Sequence, residues 1–263
     1  MTPILDAQGV TVTYGGVNAN DHVDLSIDEG QFVGLIGANG AGKTTFVDAI
    51  TGFTPLSDGA IQFDGNDITR MEPHKRAKSG LVRTFQQLEL FDDLSVRANL
   101  LVACEPSKLL SMPRDIFRRT WPAEIEDRID WALDKVGLTD LATMLPEDLS
   151  HGQRKLVGVA RALAARPRLV LLDEPAAGLD ATESADLAGT LRGLLDDGIS
   201  VFLIDHDMGL VLAVCDYLYV LDFGRIVAKG TPAEIRRNPA VIAAYLGDSA
   251  ADGGVDLGEG EGH

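Results

Sequence analysis

The chain has 263 residues, 45% of them hydrophobic and 24% charged, which is enough for one large domain or two small ones with a substantial core. A formal net charge of −17 argues against a broad nucleic-acid footprint, and it means that any polyphosphate ligand must be held by a local site against the overall field. Cys104 and Cys215 form neither a metal-ligand pattern nor a disulfide framework, the opening "MTPILDAQGV" lacks the features of a signal peptide, and the most apolar stretch (201–221) is interrupted by Asp205, His206, Asp207 and Asp216, so no membrane span is expected.

Short β-rich runs alternate with helical ones along the chain. "VTVTY" (10–14) and "VDLSI" (23–27) read as half-buried strands, and "QFVGLIG" (31–37) as a more apolar strand that ends in glycine. "KTTFVDAIT" (43–51) predicts a helix, with Gly52 suited to its C-terminal cap. "AIQFDG" (60–65) and "LVRTFQ" (81–86) are strand-like. Between about 92 and 148 the pattern is mainly helical, and "PAEIEDRIDWALDKVG" (122–137) carries Pro at its start, acids in its first turn and Gly at its end. Strands return at "RLVLLDE" (168–174) and "SVFLID" (200–205), with a helical segment between them. "LYVLDFGRIVAKG" (218–230) reads as a hairpin turning at Phe223–Gly224. The last helical segments lie in "AEIRRN" and "AVIAAYLG". Residues 248–263 carry five carboxylates and no Lys or Arg, and they read as a disordered acidic tail. Continuously apolar strands such as "LVLL" predict a parallel sheet covered on both faces.

"GANGAGKT" (37–44) fits G-x-x-x-x-G-K-[ST] between a strand and a helix, the setting that a phosphate-binding loop requires. Gly37, Gly40 and Gly42 let the backbone curl around an anion, so that N–H groups and the helix start face the phosphates. Lys43 supplies charge for the β- and γ-phosphates, and Thr44 a hydroxyl for Mg²⁺. Asp173, after the buried strand "LVLL", is placed to hold Mg²⁺ through water. Glu174 follows it, would point the other way if the strand pleat persisted, and can polarise an attacking water. Gln86 and His206 end two further strands, on the rim of a parallel sheet where ligands bind. Taken singly, Gln86 is also a plain surface amide and His206 a structural histidine.

The P-loop, "FQ", "LSHGQ" (149–153), "LLDEP", "GLD" and "HD" occur in this order at separations that resemble the nucleotide-binding subunit of ATP-binding-cassette (ABC) transporters, over nearly all of residues 4–247. The resemblance implies an α/β P-loop NTPase with a mainly parallel core sheet, an N-terminal antiparallel β subdomain and an inserted α-helical subdomain at about 92–165. It implies ATP and Mg²⁺ as cofactors. Tyr14 would stack on adenine, and Gly37, Ala38, Asn39, Gly40, Ala41, Gly42, Lys43, Thr44 and Thr45 would hold the phosphates. Thr44, Gln86 and Asp173 would serve the metal, with Gln86, Glu174 and His206 taking part in hydrolysis. Ser150, Gly152 and Gln153 would form the signature at the start of a helix whose apolar face includes Leu156, Val159 and Leu163. The signature would close on the nucleotide of a second cassette, and Asp180 would belong to the D-loop at that interface.

"RTFQ", "LDEPAAGLD", "DHDM" and "GTPAEIRRNPAVIAAYLG" (230–247) are similar to the importer subgroup for branched-chain amino acids and related small polar solutes, in particular the first of its two paired ATPase subunits. This implies a homologous or identical partner cassette, two transmembrane permease subunits and, indirectly, an extracytoplasmic solute-binding protein. The subunit would sit peripherally on the cytoplasmic face of the membrane, with residues 88–100 lining a groove for a permease helix and no nucleic acid bound. Two positions depart from the general pattern. His151 stands where the family has glycine, although the subgroup often has Tyr or His, and Gly178 stands where many members have Ala. The rival reading is an ABC ATPase that serves an assembly or scaffold system and moves no solute.

Overall fold

The computed structural model describes residues 3–84, 90–104 and 121–241. Gln86 and the acidic tail therefore lie outside the described residues.

Two sheets organise the chain. β1 (Leu5–Tyr14), β2 (Val17–Ile27), β4 (Asp58–Phe63) and β5 (Asn66–Asp67) form an antiparallel sheet in the order β2-β1-β4-β5. β3 (Phe32–Ile36), β6 (Leu81–Arg83), β7 (Leu169–Asp173), β8 (Ser200–Ile204), β9 (Tyr217–Asp222) and β10 (Arg225–Gly230) form the second sheet, ordered β10-β9-β3-β8-β7-β6. All its pairings are parallel except the β9–β10 hairpin. The hairpin turns at Phe223 and Gly224, both with positive φ (42° and 76°), as the strand twist of a two-residue turn requires.

The continuous apolar runs are explained by what each face meets. Along β7, Val170 and Leu172 enter one core while Leu169 and Leu171 enter the other; β8 divides Val201 and Leu203 from Phe202 and Ile204 in the same way. Strands buried on both faces cannot alternate apolar with polar residues. One core continues into the antiparallel sheet and α1 (Lys43–Thr51). The other is closed by α3 (Val96–Cys104), α4 (Ala123–Lys135), α5 (His151–Ala164) and α6 (Ala181–Gly193). Among the described residues the remaining α-helices are α2 (Pro73–Lys78), α7 (Met208–Val214), α8 (Pro232–Arg237) and α9 (Pro239–Val241). Among the described residues, no helix is long and apolar enough to cross a membrane.

Local differences from the sequence pattern have physical reasons. The strand expected at 81–86 ends at Arg83, where Thr84 N–H makes a last bond to the Leu171 carbonyl. The buried stripe of α5 runs through Val157, Val159, Ala160 and Leu163, while Leu156 is only half-buried. Asn99, wholly buried on α3, accepts a hydrogen bond from Phe91 N–H and donates to the Phe91, Leu94 and Ser95 carbonyls, which fixes the turn ahead of its helix.

Arg76, on α2, is also buried. It donates to the carbonyls of Ala49 and Ile50 at the C-terminal end of α1 (2.9 and 2.6 Å) and to those of Thr69 and Met71 (3.0 and 2.8 Å). A cation there satisfies orphan carbonyls and complements the negative end of the α1 dipole. Burial holds its pKa below the usual arginine value. Replacing it with a hydrophobe strands four carbonyls, so Arg76→Leu should lower the unfolding free energy by about 3 kcal/mol, read from urea denaturation. A loss below about 0.5 kcal/mol would show that water replaces the guanidinium without cost.

Candidate functional site

The chain leaves β3 at Ile36 and enters α1 at Lys43 through a loop whose shape is dictated by its surroundings. Gly42, the N-cap of α1, has φ 102°, and a Cβ there would collide with the Ala19 carbonyl oxygen. Only glycine fits. Asn20 Nδ2 donates to the Gly42 carbonyl at 3.2 Å, and Gly224 N–H in the hairpin turn donates to the Ala41 carbonyl at 2.9 Å. The loop is thus clamped between β2 and the β9–β10 hairpin. Among the described residues no side chain caps α1, so its first N–H groups are available to an anion. Ala38, Asn39, Gly40 and Thr44 are exposed, Thr45 is half-buried, and Gly37 and Ala41 are buried.

Lys43 is buried and folds back on its own loop, with Nζ donating to the carbonyls of Gly37 (2.5 Å) and Ala38 (3.0 Å). Burial pushes its pKa down, against the pull of Glu174, Asp173 and Asp205. These three acids come from the ends of β7 and β8, which places them around the phosphate loop. Asp205 is itself buried, which raises its pKa, and its Oδ1 accepts the N–H groups of His206 and Asp207.

The strand pleat does not carry through Glu174. β7 ends at Asp173, and Glu174 has φ 48°, a left-handed conformation that side chains rarely adopt. Glu174 N–H donates to the Ile204 carbonyl (2.7 Å), and the Glu174 carbonyl accepts from Lys155 Nζ on α5 (3.1 Å) and from Ala177 N–H (3.3 Å). The kink sets Glu174 Oε1 3.4 Å from His206 Nδ1, with the His206 side chain 59% exposed. Strain concentrated at an acid beside a histidine is a mark of a functional site.

Asp173 is fixed by a residue to which the sequence reading gave no role. Arg83 Nη2 donates to Asp173 Oδ2 at 2.8 Å, and Nη1 pairs with Asp48 on α1; the Arg83 and Asp173 side chains are 9% and 4% exposed. The available signal was a charged residue closing the apolar strand "LVR", since a buried arginine needs a carboxylate. The residues expected to serve a metal have donors of the kind Mg²⁺ takes. The Thr44 hydroxyl and the Asp173 carboxylate are hard oxygen ligands of the kind Mg²⁺ takes together with phosphate oxygens and water. Among the described residues, no group of three His, Cys, Asp or Glu could hold a metal unaided.

Tyr14 ends β1 with 54% of its surface exposed, and its hydroxyl lies 3.3 Å from Thr54 Oγ1. Ser150, Gly152, Gln153 and Asp180 form a separate group. Ser150 caps α5: Gln153 N–H donates to Ser150 Oγ, and Ser150 N–H donates to Gln153 Oε1 (3.2 and 2.9 Å). Asp180 caps α6 in the same way with Glu183. The Ser150 hydroxyl is exposed, its oxygen accepts from Gln153 N–H in the cap, and a hydroxyl in that role can still donate its proton to an outside acceptor.

Breaking a buried ion pair costs more than the pair contributes. Arg83→Ala should therefore destabilise the fold by about 3 kcal/mol in urea denaturation and lower ATP turnover, because Asp173 loses its anchor. Unchanged stability together with unchanged turnover would show that Arg83 does not position Asp173.

Comparison with known proteins agrees with this geometry. Residues 20–177 match the ABC transporter family, and residues 225–251 match the branched-chain amino acid ATP-binding cassette transporter family. The chain is 40% identical over 255 residues to the high-affinity branched-chain amino acid transport ATP-binding protein BraF of Pseudomonas aeruginosa, covering 94% of this chain and 99% of BraF. Among solved structures it is similar to the ADP conformation of MJ1267, an ATP-binding cassette of an ABC transporter (TM-score 0.83, 30% identity, 94% of this chain and 100% of that one). It is also similar to the dimeric bacterial ABC transporter cassette MJ0796 (TM-score 0.73, 26% identity, 87% and 98% covered). The clamped phosphate loop, the strand-end acids and these matches together place the chain in the ABC transporter family, as an ATP-hydrolysing, nucleotide-binding subunit of its branched-chain amino acid group.

Proposed function

We propose that this subunit hydrolyses Mg²⁺–ATP between its own phosphate loop and the signature of a second cassette, and so drives two permease subunits that import branched-chain amino acids or related small polar solutes. The observation that carries the reading is the pairing of an uncapped helix start at Lys43 with Glu174 and His206 across the sheet rim.

Lys43 would leave the Gly37 and Ala38 carbonyls for the β- and γ-phosphates, while the N–H groups of residues 38–45 receive the remaining oxygens. Tyr14 offers its exposed ring to the adenine. Thr44 and Asp173, with Gln86 expected beside them, would hold Mg²⁺, which neutralises charge on the phosphates. Glu174 draws a proton from the attacking water, and His206, beside it, donates a hydrogen bond to the γ-phosphate. The bond between the γ-phosphorus and its bridging oxygen breaks, giving ADP and phosphate.

A single phosphate loop leaves one side of the γ-phosphate open. The start of α5 suits that side when supplied by another chain: it presents the Ser150 hydroxyl and the positive end of a helix dipole. ATP would then join two cassettes head to tail, and hydrolysis would let them part. Exposed Phe91, pinned by Asn99, lies in the segment that would receive a permease helix. The match at residues 225–251 favours the importer group over an assembly ATPase.

Glu174→Gln should lower turnover at least about 100-fold while an ATP-dependent dimer accumulates in gel filtration. Normal turnover would remove Glu174 from the chemistry. Lys43→Ala should raise the dissociation constant for ATP about tenfold or more by calorimetry, and an unchanged value would refute the phosphate-loop role of Lys43. Reconstituted in proteoliposomes with its partner cassette, the two permeases and the solute-binding protein, the subunit should support ATP-dependent uptake of leucine, isoleucine or valine. ATP-dependent uptake of a different solute alone would refute the branched-chain assignment.

A further inference from the structure

We propose that Lys155 is a positioning residue for hydrolysis: from α5 it holds the backbone of Glu174 in the conformation that brings the Glu174 carboxylate to His206, and the buried carboxylate of Asp205 holds Lys155 in turn. The inference deepens the hydrolytic reading given above and rests on it.

Glu174, with φ 48°, stands in a left-handed conformation that a residue with a side chain keeps only when its surroundings impose it. The Ile204 carbonyl takes its N–H at 2.7 Å, and its own carbonyl accepts from Ala177 N–H at 3.3 Å. The Ala177 bond is long and belongs to the turn itself. Lys155 Nζ reaches the same carbonyl at 3.1 Å from a helix 19 residues earlier in the chain. A charged donor makes a bond about twice as strong as a neutral one, so Lys155 is the stronger of the two restraints on that carbonyl.

Lys155 is half-buried, and a cation drawn out of water needs a counter-charge. Asp205 supplies it. Its side chain is wholly buried, and Oδ1 accepts the N–H groups of His206 (2.8 Å) and Asp207 (3.0 Å). Among the described residues, Oδ2 has no hydrogen-bond partner. Two lysines feel this carboxylate, Lys43 and Lys155. Once Lys43 turns to the phosphates, Lys155 is the lysine that remains to balance it. Glu174 and His206, 3.4 Å apart, are thus each fixed from behind by oppositely charged groups: Glu174 through its carbonyl by Lys155, and His206 through its N–H by Asp205.

The test compares Lys155→Met, which keeps the length of the side chain without its charge, with Lys155→Arg, which keeps a charged donor, both in the assembled transporter. Lys155→Met should lower kcat about tenfold with KM for ATP within about twofold of the parent, and Lys155→Arg should bring kcat back to within about threefold. Asp205→Asn keeps an oxygen for the His206 N–H and removes the charge; it should lower kcat too, and in its presence Lys155→Met should cost less than about threefold. Losses that multiply would overturn the pairing of Asp205 with Lys155. Because Lys155 lies one turn behind Ser150, a further readout separates positioning of Glu174 from docking on a partner's nucleotide. In a Glu174→Gln background, Lys155→Met should still form the ATP-dependent dimer in gel filtration and should lower the residual single-turnover rate by less than about twofold. Loss of that dimer, or a further tenfold fall on the order expected for an independent effect, would overturn the proposal. So would Lys155→Met with kcat within about twofold of the parent, a defect carried by KM, or Lys155→Arg as slow as Lys155→Met. Normal turnover of Glu174→Gln alone would instead defeat the hydrolytic reading, so the two failures are distinguishable.

Discussion

The structure depends on a helix start that no side chain caps among the described residues. At Gly42 the backbone can take only a left-handed conformation with its α-carbon against the Ala19 carbonyl, and this aims the first N–H groups of α1 out of the loop. β2 and the β9–β10 hairpin hold the loop from two sides through Asn20 and Gly224. At the other end of α1, Arg76 occupies the C-terminal carbonyls. The helix is therefore stabilised at its negative end by a buried cation and left open at its positive end, where a phosphate group completes it. Strand order does the rest. β3, β7 and β8 are neighbours, so Lys43, Asp173, Glu174 and Asp205 converge on one rim.

The contrast with α5 is instructive. Its start is also exposed, yet it is capped by Ser150 and Gln153 and packed against the start of α6. One helix start awaits an anion from within its own pocket, and the other is a preformed turn that can be carried as a rigid piece. Lys155 ties this piece to the strained Glu174 backbone. The helix α5 and Glu174, the acid proposed for hydrolysis, are thus tied together in the same chain through Lys155.

Much of this was legible in the sequence because it is local. Apolar runs bounded by glycine marked β3, β7 and β8, the Phe223–Gly224 turn marked the hairpin, and the glycine spacing marked the phosphate loop. Features set by long-range contacts were not legible. Arg83 finds Asp48 and Asp173 only once β6 lies beside β7, and Arg76 finds the end of α1 only through the path of α2. The kink at Glu174 depends on bonds with Ile204 and Lys155, neither adjacent in sequence, so whether the pleat persisted past Asp173 was not legible there. The half-buried Leu156 reflects the angle at which α5 meets its neighbours, which periodicity does not specify.

The central claim is that the start of α5 serves the nucleotide of another cassette. The direct measurement is ATP-dependent disulfide cross-linking between chains carrying Asn39→Cys and chains carrying Ser150→Cys, both lacking Cys104 and Cys215. The account predicts a cross-linked pair, between two copies or between this chain and its partner cassette, that forms with ATP and disappears with ADP. Cross-linking confined within one chain that carries both cysteines, or formed equally without nucleotide, would contradict it.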